Sequence, residues 1–219
     1  YRVEAMAMIL ACHNLKIKAV EYQHGGQNDK HPMYTNWSNA PRDGYELIPD
    51  TFWMWGDISK NRINLWANNT KKHNAITGGN IWLTYVKENS HFSNVCPGIY
   101  DDKKVNVLVS LQGDKFFEDF VLEYISHSSP SINWHFRDHP RIPISDSLRK
   151  KILSFPNCEI DYSTKSSLFN LLRKVDIHVT GFSSVSFEAQ AFNIPSIFTH
   201  LNAKSGFKDI LGKNGLFYA

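Results

Sequence analysis

From Asn106 to the end of the chain, short apolar runs alternate with stretches of helical spacing. The pattern predicts strands at 106–111, 132–136, 159–162, 176–180, 195–199 and 216–218. Between them it predicts helices at 114–125, with Phe116, Phe117, Phe120 and Val121 on one face, then at about 145–153, 164–174, 185–192 and 207–211. Ser163 or Thr164 is a candidate cap for the third of these, and Leu168, Leu171 and Leu172 are its inward face. Strands that alternate with helices in this way demand a parallel sheet with helices on both faces, because every crossover is helical and right-handed.

The earlier part of the chain is less regular. Val3, Met6, Ala7, Leu10 and Ala11 predict an amphipathic helix over residues 1–15. A short strand at 18–22 follows and breaks at His24-Gly25-Gly26, an order that suits the closing part of an α/β unit. Residues 27–49 read as a long loop, 51–55 as a second apolar run and 76–85 as a third. Pro97, Gly98 and a charge cluster between 89 and 104 suggest an interdomain linker. The expected organisation is therefore the end of one Rossmann-like domain over 1–90, a linker over 91–105 and a second Rossmann-like domain over 106–219. The chain opens on Tyr1, not Met, inside a helical pattern, and is read as a piece of something longer.

Composition narrows the function. With 24 basic and 21 acidic residues, the net charge of +3 is too balanced to imply nucleic-acid binding. Cys12, Cys96 and Cys158 are odd in number and widely spaced, which favours a reduced, cytoplasmic setting over a disulfide framework. No run approaches the ~18 apolar residues of a membrane span. The histidines form no HxH pair and the acids no DxD, so no metal and no cofactor are expected. The absence of G-x-S-x-G argues against a Ser/His/Asp hydrolase.

In an open parallel sheet, ligands bind beyond the carboxyl ends of the strands, and three clusters fall there. The first is Thr180-Gly181-Phe182-Ser183-Ser184, where a glycine turn and two hydroxyls meet the start of a helix and suit a phosphate. The bland alternative is an ordinary N-cap. Glu188, one turn on, is a candidate partner for a ribose diol, or a solvated helical Glu. The second cluster is Arg137-Asp138-His139-Pro140-Arg141: Pro140 holds His139 on a rigid turn, where its N–H and a neighbouring arginine can reach a phosphate oxygen. Gln112-Gly113, at the end of the first strand, is the third and weakest, with one glycine and no GxGxxG. Separately, His24 on its glycine turn, followed by His31-Pro32 and Tyr34, is placed to act as a general base on an acceptor hydroxyl, or to bond backbone within a long loop.

The segments "VEYQHGGQNDKHPMY", "PDTFWMWG", "HFRDHPR" and "VTGFSSVSFEAQAFNIPSIF" resemble bacterial surface-polysaccharide glycosyltransferases of the GT-B fold. The HP and SS pattern is similar to sialyl- and Kdo-transferases that use CMP-sugars. It also resembles the teichoic-acid phosphotransferases that use CDP-glycerol or CDP-ribitol. The resemblance implies two facing Rossmann-like domains and metal-independent transfer from a nucleotide-sugar to a glycan or lipid-linked glycan. It implies that His139, Ser183 and Ser184 hold the donor phosphate, that Glu188 lies by the ribose and that His24 belongs to the acceptor side. Peripheral association at the inner face of the membrane is implied as well. Where the polyol enzymes carry Asp-Tyr before the serines, this chain has Gly181-Phe182, which favours a sugar over a polyol phosphate. A non-catalytic nucleotide- or glycan-binding module is the alternative from another class.

Overall fold

The computed structural model describes residues 2–27, 31–32, 34–89 and 100–219. Cys96 and most of the expected linker lie outside them. The chain divides into two compact units, Tyr1–Thr84 and Tyr85–Ala219.

The second unit carries a six-stranded sheet of β4 (Val105–Ser110), β5 (Ile132–Arg137), β6 (Cys158–Glu159), β7 (Ile177–Thr180), β8 (Ser196–Phe198) and β9 (Leu216–Tyr218). Its spatial order is β6-β5-β4-β7-β8-β9 and every pairing is parallel. Alternation along β4 explains the layering. Val107 and Val109 point into a core shared with Val121 and Ile125 of α4 (Phe120–Ser126) and Leu148 and Ile152 of α5 (Asp146–Leu153). Leu108 points the other way, onto Leu171 and Leu172 of α7 (Leu168–Leu172) and Ala189 of α8 (Val185–Ala191). Helices thus cover both faces, as the strand–helix alternation predicts.

Local details differ from the sequence reading. The expected helix over 114–125 is a 3-10 turn at Asp114–Phe116 and then α4, because Phe117 adopts extended backbone (φ −102°, ψ 125°). The helix expected over 164–174 is two short ones, α6 (Asp161–Lys165) and α7, separated at Ser166, also extended. Ser163 and Thr164 therefore lie inside a helix instead of capping one, and Tyr162 is helical, not part of a strand. The last helix, α9, is Asn202–Gly206 and not 207–211.

The first unit has three parallel strands in the order β1 (Val20–Tyr22), β2 (Thr51–Met54), β3 (Asn74–Thr77). Helix α1 (Val3–Asn14) forms as expected, yet none of its residues is buried. Helix α2 (Asp57–Ala67), absent from the sequence reading, places Ile63, Trp66 and Ala67 against Phe52 and Met54. The long loop contributes to this core: Tyr34 and Ile48 are buried in it, and the Trp66 indole N–H donates to the Tyr34 carbonyl at 2.8 Å. The third apolar run is not one element. β3 stops at Thr77, Gly78 and Gly79 turn the chain, and α3 (Ile81–Glu88) begins. Gly78 is required there, since a β-carbon would sit 1.9 Å from the Trp53 ring.

Candidate functional site

Numbered within the second unit, the strand order is 3-2-1-4-5-6, which reverses direction between β4 and β7. A crevice opens at such a switch point, outside the carboxyl ends of the strands. Register fixes what stands there: Ser110 ends β4 opposite both Arg137 of β5 and Thr180 of β7. The Asp138–Arg141 turn, the Gln112–Gly113 loop and the Gly181–Ser184 turn therefore leave the same edge of the sheet. The outer two are rooted two strand spacings apart, about 10 Å.

The middle segment joins the outer two. Gln112 Oε1 accepts the Phe182 N–H at 3.1 Å, tying the first loop to the serine turn. Gly181 presses on the same segment so closely that a β-carbon would stand 2.5 Å from the Phe116 carbonyl oxygen. On the other side Gly113, at φ +78°, lies beneath Ile142, whose Cγ2 would be 2.8 Å from an added β-carbon. Asp114 clamps this flank by accepting the Ser145 N–H at 2.8 Å and its hydroxyl at 2.6 Å, and these bonds hold its carboxyl below the usual range.

His139 is held in one tautomer. Its Nδ1 accepts backbone N–H groups from Arg141 (3.1 Å) and Ile142 (3.2 Å), so a neutral ring carries its proton on Nε2. The turn is braced by Asp138 Oδ1, which accepts from His139 N (2.9 Å) and Ile144 N (3.0 Å). Pro140 is exposed behind it. Arg137 is differently employed: its Nη1 donates to the carbonyls of Ser163 and Ser166, both at 2.5 Å, closing the end of α6.

In the serine turn, Ser183 Oγ accepts from Val185 N at 3.3 Å, while Ser184 at the head of α8 makes no side-chain cap bond. Glu188 lies one turn along. Its Oε2 is buried with no hydrogen-bond partner, and burial pushes the carboxyl up to about 7. A buried carboxyl oxygen without a donor is a costly arrangement. Beneath the turn, His178 bridges Ser110 (3.0 Å) and Ser196 (2.9 Å), and complete burial drives its imidazole down to about 3, so it is neutral.

His24, in the first unit, is exposed just past β1. It lines a cavity of about 770 Å³ together with Glu21, His31, Tyr34 and the Met8 and Ile9 side chains of α1. Tyr34 donates to Glu21, and its hydroxyl is held well above the usual range by burial and by that carboxylate. Burial, with His24 nearby, favours neutral His31.

Sequence reasoning did not single out Asp114 or His200, and placed Phe116 only on a helix face. Phe116 and Phe182 pack edge to face with ring centres 4.8 Å apart, and His200 sits 5.4 Å and 5.8 Å from them. The signal available was position alone: His200 follows the fifth strand of the unit, as His139 follows the second. Among the described residues, no group of three or more His, Cys, Asp or Glu side chains gathers as metal ligands would. No described helix is long and apolar enough to cross a membrane.

No protein-family model and no curated protein sequence matches the chain. Solved structures do match its fold. UDP-GlcNAc 2-epimerase from Methanocaldococcus jannaschii, in complex with UDP-GlcNAc and UDP, aligns over 98% of this chain and 62% of its own, with 15% identity and a TM-score of 0.59. The Neisseria meningitidis UDP-GlcNAc 2-epimerase, bound to UDP-GlcNAc, covers 89% and 55% at 18% identity, TM-score 0.56. A glycosyltransferase of kitacinnamycin covers 98% and 60% at 11% identity, TM-score 0.54. The chain thus spans between half and two thirds of the length of these structures. The likeness establishes fold: an α/β chain of the GT-B class with parallel sheets.

Proposed function

We propose that the second unit binds the nucleotide of an activated sugar and that the protein transfers the sugar to a hydroxyl of a glycan or lipid-linked glycan, without a metal. One observation carries the reading. At the switch point, in-register strand ends bear the His139 turn, the Gln112–Gly113 loop and the Gly181–Ser184 turn, with an unpaired Glu188 oxygen one turn away. Ser183, Ser184 and the Nε2–H of His139 would stabilise the charge arriving on the phosphate as the sugar–oxygen bond breaks. Glu188 would accept the ribose hydroxyls. His24 would take the proton from the acceptor hydroxyl as its oxygen bonds to the sugar, a role supported by its place beside the Glu21 cavity. A CMP-linked sugar is the donor that the paired HP and SS turns favour. A lipid-linked acceptor would bring the protein to the inner face of the membrane.

Calorimetric titration with CMP, CDP, UDP and GDP tests the site, and incubation with CMP-sugars, UDP-GlcNAc and CDP-glycerol tests the reaction. Binding of a nucleotide with transfer of its sugar, abolished in His139→Ala while circular dichroism is unchanged, is the expected result. Normal turnover by that variant, or no nucleotide bound by the wild type, overturns the assignment. Consumption of CDP-glycerol alone would make the protein a polyol phosphotransferase, and epimerised UDP-GlcNAc would make it an epimerase.

A further inference from the structure

Two histidines at the carboxyl edge of the six-stranded sheet share one internal lock. His139 follows β5 and its Nδ1 accepts the N–H of the residue two further on, Arg141. His200 follows β8 and its Nδ1 accepts from Asn202, again two residues on, at 3.1 Å. Each ring thereby keeps its proton on Nε2, as a donor directed away from its own backbone.

Their surroundings differ. His200 comes from the strand next to β7 and lies directly against the glycine of the serine turn. Its N–H donates to the Gly181 carbonyl at 3.2 Å, and its Cβ would be 3.5 Å from a β-carbon on Gly181. The Phe116 and Phe182 rings flank it, and its side chain keeps 19% of its surface exposed. Glu118 Oε1 is 3.9 Å from Nε2. That is ion-pair range and too long for a hydrogen bond, so the N–H is not spent on the carboxylate.

We propose that His200 is a second phosphate-binding residue of the donor site, giving its Nε2–H to a non-bridging oxygen held at the Gly181–Ser184 turn. This rests on the nucleotide reading of the same turn. Two features suit the role. The tautomer is fixed before ligand arrives, so no donor has to be reoriented. The flanking phenyl rings keep water from the inner side of the imidazole, which strengthens a bond to an anion.

The test compares nucleotide with nucleoside: CMP with cytidine, and UMP with uridine, titrated into wild type, His200→Phe and His200→Gln. Phenylalanine keeps the aromatic packing but has no donor; glutamine restores an N–H. The expected result for His200→Phe is a loss of about tenfold or more for the nucleotide, unchanged nucleoside binding and substantial recovery in His200→Gln. Equal losses for nucleotide and nucleoside would make His200 a packing residue, and no loss would remove it from the site; either overturns the proposal. His200→Ala serves the same comparison if the phenylalanine variant does not fold. If the wild type binds neither nucleotide nor GMP nor AMP, the donor-site reading fails and takes this inference with it.

Discussion

Replacing Glu188 by Gln should make the unliganded protein more stable and a poorer nucleotide binder, with a pH dependence that identifies the cause. The carboxyl lies at about 7 in the fold against an ordinary value near 4.5, through burial with its Oε2 unpaired. Below pH 4.5 both folded and unfolded states hold the proton and Glu188 costs nothing. As pH rises from 4.5 to 7 the unfolded chain releases it first, so stability falls; above 7 the loss is complete. A displacement of this size corresponds to about 3 kcal/mol at full effect. Glutamine has no proton to lose, so urea unfolding of Glu188→Gln should match wild type near pH 4.5 and exceed it by up to about 3 kcal/mol at pH 8. Ribose hydroxyls donating to the carboxylate would draw it back down. Nucleotide binding near pH 7 should therefore release protons, seen as a dependence of the calorimetric enthalpy on buffer ionisation enthalpy. A stability difference that is the same at pH 5 and pH 8 would refute the reasoning.

Further outcomes follow from the same geometry. Gly181→Ala drives a methyl against the fixed Phe116 carbonyl and should cost about 1–3 kcal/mol, read in urea unfolding, with nucleotide affinity falling as the turn is displaced. His178 is neutral and buried, with a folded value of about 3 against 6.5. Its contribution is intact above pH 6.5 and is lost as pH falls toward 3, by about 5 kcal/mol at most; His178→Gln should flatten the acid limb of the unfolding curve. Arg137→Met should lower the thermal midpoint through lost capping of α6 while changing nucleotide affinity less than His139→Ala does.

The sheet was legible in the sequence because β4, β5, β7 and β8 are short, largely buried runs rich in β-branched and aromatic residues and bounded by turn residues. Helix α2 escaped because its buried stripe is only Ile63, Trp66 and Ala67 in an Asn- and Lys-containing segment. The breaks at Phe117 and Ser166 are tertiary: neither residue carries a helix-breaking side chain, and both turn extended to let a following helix reach the core. At the site, glycines, prolines and hydroxyls announced the turns, since local backbone demands those residue types. The engagement of Arg137 with carbonyls 26 to 29 residues away could not be read locally. Nor could the burial of Glu188, which depends on what packs over α8.

The Ser110–His178–Ser196 bridge acts as a polar crossbar beneath the edge that carries the glycine–serine turn. A uniformly aliphatic sheet would tolerate one strand sliding past another by two residues, since the same face would still be inward. Here a slip of β4 or β8 against β7 would strand a buried imidazole nitrogen and a hydroxyl at once. Alignment of the glycine–serine turn with its neighbours is therefore guarded by an interior latch.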